Sequence, residues 1–140
     1  MENIKLIIAG SRDFDDYSLL EKEVDTYILD TLFNLDKNLY DCYLLRTLTE
    51  EVYGDIPIEI VSGGARGADR LGELYARNRK LVIKQFIPNW SIGKSAGYIR
   101  NEEMAKYATH CICFWNGSKG TKHMIDIATR YNLGLKVVNL

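Results

Sequence analysis

Three times in this chain an apolar run ends in a glycine-bearing loop and gives way to a helical pattern. The runs are 4–9 (IKLIIA), 56–61 and 110–115, and the loops carry Gly10, then Gly63, Gly64 and Gly67, then Gly117 and Gly120. Two further short runs, 82–87 (VIKQFI) and 135–138, complete an alternation of strand and helix. Near-continuous apolar strands are those covered on both faces, and strand–helix alternation calls for right-handed crossovers. The expected fold is therefore α/β, a doubly wound parallel sheet of about five strands in the order 3-2-1-4-5. In that order the ends of strands one and four flank the topological switch point, with the loop after strand two beside them. All three glycine loops then meet at one edge of the sheet.

The helices follow from periodicity and caps. Asp15, Asp16 and Ser18 offer N-caps to a first helix with Leu20, Val24, Tyr27, Ile28 and Leu32 at helical spacing. After a polar break at 34–37, a second pattern runs through Leu39, Tyr43, Leu44, Leu48 and Val52 and stops near Gly54. This 34–54 segment exceeds what a βαβ crossover needs. It is expected to cover either a sheet edge or a partner subunit. Strand two, 57–61, leads into a helix with Leu71, Leu74 and Tyr75 that ends about Arg79. Residues 88–97 are polar and glycine-marked, so a loop is expected there. It is followed by a short helix, 98–107, with Ile99, Met104 and Ala105 as its apolar face. The last helix carries Met124, Ile125, Ile127, Ala128 and Tyr131.

At 140 residues this length suits one domain with a real core. A net charge of −1 gives no general pull towards nucleic acid or anionic membranes, so an anion site has to be local. No apolar run approaches the length of a membrane span, and the first residues show no secretory pattern, so a cytoplasmic location is the expectation. Three cysteines cannot all pair within one chain, and Cys111 and Cys113 fall on one face of a strand, where buried free thiols are expected. Their spacing resembles no zinc site, and the two histidines, His110 and His123, do not supply one; neither a metal nor a cofactor is expected.

The stretch 61–69 (VSGGARGAD) has the makings of an anion cradle. Glycines let a ligand approach the backbone, several N–H groups can face one concavity, and the following helix end adds partial positive charge. Gly63 and Gly64 are equally consistent with a plain tight turn. Arg12, Arg66, Lys94, Arg100, Lys119 and Lys122 lie in or beside the loops, with Arg12 and Arg66 inside the turns, where a guanidinium can fork onto phosphate. Ser11, Ser62, Ser118 and Thr121 are hydroxyls near helix starts, suited to capping or to phosphate. Trp90 has two open roles, stacking on a base or sugar or covering the sheet edge. Asp69 falls in a first helical turn, where a dipole role suffices and ribose recognition is the sharper alternative. No Ser-His-Asp arrangement and no Walker-type loop is present.

Taken in order, Gly10-Ser11-Arg12-Asp13-Phe14, Gly63-Gly64-Ala65-Arg66-Gly67-Ala68-Asp69, Trp90 with Gly93-Lys94 and Ala96-Gly97, Arg100-Asn101 with Met104, and Gly117-Ser118-Lys119-Gly120-Thr121 resemble the YspA-related group of the SLOG superfamily. The resemblance covers nearly the whole chain except 34–54, which looks like an insertion. It implies a Rossmann-like fold, a nucleotide or nucleotide-derived ligand held by these residues, and a homo-oligomer. Many such domains serve bacterial or phage conflict and signalling. The related Lonely Guy phosphoribohydrolases cleave the N-glycosidic bond of nucleoside monophosphates, and their Pro-Gly-Gly-x-Gly-Thr-x-x-Glu signature aligns with residues 116–124. The phosphate-cradling positions match, but Met124 stands where the catalytic glutamate would be. Binding without hydrolysis is therefore the leading expectation. Hydrolysis through another carboxylate, Asp13 or Glu103, is the alternative. Single-strand nucleic-acid binding, a third possibility within the superfamily, is disfavoured by a pI near 6.1 and by the lack of a broad basic stripe.

Overall fold

The computed structural model describes residues 3–52 and 54–140. Its strands are β1 (Ile4–Gly10), β2 (Ile58–Ser62), β3 (Val82–Gln85), β4 (His110–Trp115) and β5 (Gly134–Asn139). The helices are α1 (Tyr17–Leu35), α2 (Lys37–Thr49), α3 (Ala68–Asn78), α4 (Ala96–Tyr107) and α5 (Lys119–Arg130). The strands form one sheet in the order β3-β2-β1-β4-β5, and every neighbouring pair is parallel. The doubly wound α/β architecture and its strand order are those expected from the sequence.

Side-chain alternation along the central strands divides the core into two layers. Ile4, Leu6 and Ile8 of β1 and Ile112 and Phe114 of β4 pack with Leu20, Val24 and Ile28 of α1, Tyr43 of α2 and Tyr75 of α3. Ile7 and Ala9, with Cys111 and Cys113, face α4 and α5 through Met104, Met124 and Ile127. The two thiols are buried and free, with their Sγ atoms 3.5 Å apart. Close helix–sheet contact is allowed at Gly72, where a Cβ would lie 2.8 Å from that of Ile8.

Of the candidate caps for α1, Asp16 serves, accepting from Leu19 N–H at 3.1 Å. Asp36 both ends α1, its N–H donating to Leu32 O at 2.8 Å, and starts α2, its Oδ1 accepting from Asn38 N–H at 2.9 Å. Within this chain the 34–54 segment packs only part of its apolar stripe. Leu39 and Tyr43 turn inward, but Leu48 is 72% and Val52 48% exposed. Arg46 is buried instead, because Nη1 and Nη2 donate to Arg79 O and Gly54 O at 2.9 and 3.1 Å. Carbonyls distant in sequence make that arginine an inside residue. On α4 the expected apolar face is corrected: Ile99 is exposed, while Ala96, Arg100, Asn101, Met104 and Ala105 are buried. Leu74 of α3 also sits at the surface. The expected 88–97 loop contains a single 3-10 turn, Trp90–Ile92, held by Ser91 N–H donating to Asn89 Oδ1 at 3.2 Å, and α4 begins at Ala96 rather than 98.

Candidate functional site

At the carboxyl edge of the sheet, where the crossovers from β1 and β4 part to opposite faces, lies a cleft of about 660 Å³. Every glycine loop contributes to it. The β1 loop supplies Gly10, Ser11, Arg12 and Asp13; the β2 loop supplies Ala65, Arg66 and Asp69. Trp90 and Lys94 come from the segment before α4, Arg100 and Asn101 from α4 itself, and Ser118, Gly120 and Thr121 from the start of α5. Lys119 and Lys122 lie outside the lining, and Lys122 pairs with Asp126 at 2.5 Å. Of the two carboxylates considered for catalysis, Asp13 lines the cleft and Glu103 does not.

Ser11 ties the loops together. Its N–H donates to Phe114 O at 3.1 Å, and its carbonyl accepts from Phe14 and Ala68 N–H, each at 3.2 Å. Its Oγ accepts from Asp13 N–H at 3.2 Å and from Asn116 Nδ2 at 3.0 Å. The β2 loop can lie this close only because residue 67 is glycine. With φ at +79°, a Cβ there would stand 2.4 Å from Ser11 O. Gly67 is thus a packing requirement outside the cleft lining.

The β2 loop departs from the expected amide cradle. Gly64 N–H donates to Ser62 Oγ at 3.1 Å, Ala65 N–H to Asp69 Oδ2 at 3.2 Å, and Ala68 N–H to Ser11 O. These amides are committed inside the protein. Ser62 in turn donates to Glu73 Oε2 at 2.6 Å, so it is a buried support rather than a cleft hydroxyl. What the loop presents to the cleft is the exposed side chain of Arg66. Gly63 and Gly64 border a second, adjoining cavity of about 490 Å³.

Asp69 and Arg100 are the buried charges of the site. Burial pushes the Asp69 carboxyl up to about 6, against the pull of Arg100, the Ala65 N–H and Arg12. Burial also lowers the pKa of Arg100, whose Nη1 donates to Gly63 O at 2.5 Å and whose Nε donates to Asn101 Oδ1 at 3.1 Å. Both crowd residue 63, where a Cβ would lie 2.5 Å from Arg100 Nη1 and 2.8 Å from Asp69 Oδ2. Asp69 therefore shapes the loop, a larger part than the dipole role read from its position. Asn101 continues the chain of contacts, its Nδ2 reaching His123 Nδ1 at 3.2 Å and Gly120 O at 3.5 Å.

At the start of α5, Ser118 occupies the N-cap position, but its Oγ–H donates to Thr121 Oγ1 at 2.9 Å and its Oγ accepts from no helix amide. Gly117, at φ +99°, turns the chain into this helix from outside the cleft lining. The first turns of α3, α4 and α5 all border the cleft, through Asp69, through Gly97 and Tyr98, and through Gly120 and Thr121. Their aligned N-terminal partial charges favour an anion. Trp90 is 56% exposed and borders both cavities, rather than being buried against the sheet. The floor is apolar, with Ala9, Met104 and Met124.

Sequence reasoning missed Asn116, Tyr98 and Glu73. Asn116, directly before Gly117, carried a loop signal, but its bond to Ser11 crosses from one loop to another. Among the described residues, no three or more His, Cys, Asp or Glu gather to hold a metal ion, and no helix is long and apolar enough to cross a membrane. Compared with protein-family models, curated proteins and solved structures, the chain gives no match.

Proposed function

We propose that the cleft binds a nucleotide or nucleotide-derived small molecule, in keeping with the resemblance to SLOG domains. The observation that carries this reading is the meeting of three helix N-termini with Arg12, Arg66 and Lys94 at the switch point of a parallel sheet. In this reading the phosphate lies at the Ser118–Thr121 turn, and the half-exposed indole of Trp90 offers a face to a base or sugar. The resemblance also supports a homo-oligomer.

Binding without turnover is the form this reading takes. Cleaving an N-glycosidic bond calls for a carboxylate near the anomeric carbon or a proton donor near the base. Met124, on the cleft floor, supplies neither, and Glu103 lies outside the lining. Thermal unfolding across a panel of AMP, ADP, ADP-ribose and guanine nucleotides tests the proposal. A ligand at 100 times its dissociation constant adds about 2.7 kcal/mol. No shift with any of them would count decisively against a nucleotide site. Chromatography of the incubated AMP is expected to show no free base, and base release lost in Asp13→Asn would instead establish an enzyme.

A further inference from the structure

The adjoining cavity behind Gly63 and Gly64 shares Arg12, Ala65, Arg66, Trp90 and Arg100 with the cleft. Arg70 lines the second cavity alone. Four guanidinium groups, those of Arg12, Arg66, Arg70 and Arg100, thus border one volume of about 490 Å³, and among the described residues no carboxylate does. Among the described residues, none of the four makes an ion pair within 4 Å, whereas Arg79 makes two. The chain as a whole carries a net charge of −1, so this concentration of cations is local.

Arg70 is the most informative of the four. It stands in the first turn of α3, where the helix dipole disfavours a cation, and it is exposed, with no carboxylate partner among the described residues. Stability alone gives no reason for it. Arg100, by contrast, is held in the wall by its bond to Gly63 O. Guanidinium groups fork onto phosphoryl oxygens in two parallel hydrogen bonds, so four around one cavity answer more negative charge than one phosphate monoester in the cleft carries.

We infer that the second cavity takes a further phosphoryl group, so that the ligand is a nucleotide with two or more phosphoryl groups spanning both cavities, with Arg12 and Arg66 at the junction. A nucleoside di- or triphosphate, or a nucleotide bridged through a diphosphate, has this chemistry. The nucleoside half rests on the function proposed above; the phosphate affinity of the four-arginine cavity does not.

Calorimetric titration of the full chain with AMP, ADP, inorganic pyrophosphate and a single-stranded oligonucleotide, at fixed ionic strength, separates the cases. ADP is expected to bind at least about tenfold more tightly than AMP, a difference of about 1.4 kcal/mol. Pyrophosphate is expected to bind on its own. Arg70→Ala is expected to weaken both ADP and pyrophosphate about tenfold without lowering the melting temperature, because a cation leaves a helix N-terminus. Arg12→Ala, at the junction, is the second variant and is expected to weaken ADP further. AMP and ADP binding equally, with no pyrophosphate affinity, would overturn the inference and leave the nucleotide cleft standing. Pyrophosphate binding that depends on Arg70, with no nucleotide bound, would uphold the phosphate cavity and overturn the nucleotide reading. An oligonucleotide bound more tightly than ADP would overturn the small-ligand assignment.

Discussion

The two ends of α3 carry the same residue types and use them in opposite ways. Just past its C-terminus, Arg79 donates Nε and Nη2 to the two oxygens of Asp25 at 3.0 and 2.7 Å. Tyr75 Oη also bonds Asp25, Tyr43 Oη lies 2.6 Å from Tyr75 Oη, and Arg46 Nη1 donates to the carbonyl of Arg79. At its N-terminus, Arg66, Arg70 and the nearby Arg12 and Arg100 make no ion pair among the described residues. The arginine pKa values diverge accordingly. The bond to Asp25 raises that of Arg79, while burial lowers that of Arg100. One cluster is closed on itself and clamps α1, α2 and α3. The other is left open beside two cavities, as a site for an external anion requires.

The largest expected effect breaks the closed end. Asp25→Ala strands the Arg79 charge and the Tyr75 hydroxyl, and a loss of about 3 kcal/mol is expected in denaturant unfolding, at the low end for a broken buried pair. Glu21, 3.7 Å from Arg79, keeps it from being larger. A loss below about 1 kcal/mol would mean that the network behaves like an exposed pair.

The matching change at the open end is Arg66→Ala. It is expected to weaken nucleotide binding by about 1.5–3 kcal/mol, the range for a hydrogen bond to a charged group, and to move stability by no more than about 0.5 kcal/mol. A fall in stability with binding intact would make Arg66 a turn element and erase the contrast between the two ends.

Asp69 adds a pH dependence to the open end alone. Its carboxyl titrates near 6 instead of the ordinary 3.8. Between those values the folded protein holds a proton that the unfolded chain releases, so this group's contribution to stability falls as pH rises through the window and is level above it. The span is of order 3 kcal/mol. Unfolding of Asp69→Asn, measured from pH 4 to 8, is expected to lack this component. Identical profiles for the two proteins would show that Asp69 is not held up by burial.

The smallest effect calibrates both ends. Lys122 and Asp126 form an exposed pair one turn apart on α5. Lys122→Ala is expected to cost only about 0.3–0.5 kcal/mol by chemical denaturation, because water screens the pair. A loss as large as that of Asp25→Ala would show that pairing matters here regardless of burial.

Much of the site was legible in the sequence because glycine loops after apolar strands are local signals. Gly10, Arg12, Arg66, Ser118 and Thr121 could be placed at one edge once the strand order followed from the alternation. The parts that were not legible depend on partners far along the chain. Ser62 looked like a helix-start hydroxyl, but Glu73 engages it from the next turns of α3. The loop amides looked available, yet Ser62, Asp69 and Ser11 take three of them. The inward turn of Arg46 on α2 and of Arg100 on α4 is not legible because their burial requires the carbonyls of Arg79, Gly54 and Gly63, which no periodicity reveals.

By itself, then, the sequence determined the elements, the parallel sheet and the edge at which its loops meet. Apolar periodicity, caps and glycine turns act over a few residues and leave their mark in the local pattern. Only the tertiary structure decided which polar groups are consumed within the protein and which remain open to an anion. Hydrogen bonds and ion pairs act over a few ångströms in space, between residues such as Asp25 and Arg79 or Ser11 and Asn116 that lie far apart in the chain.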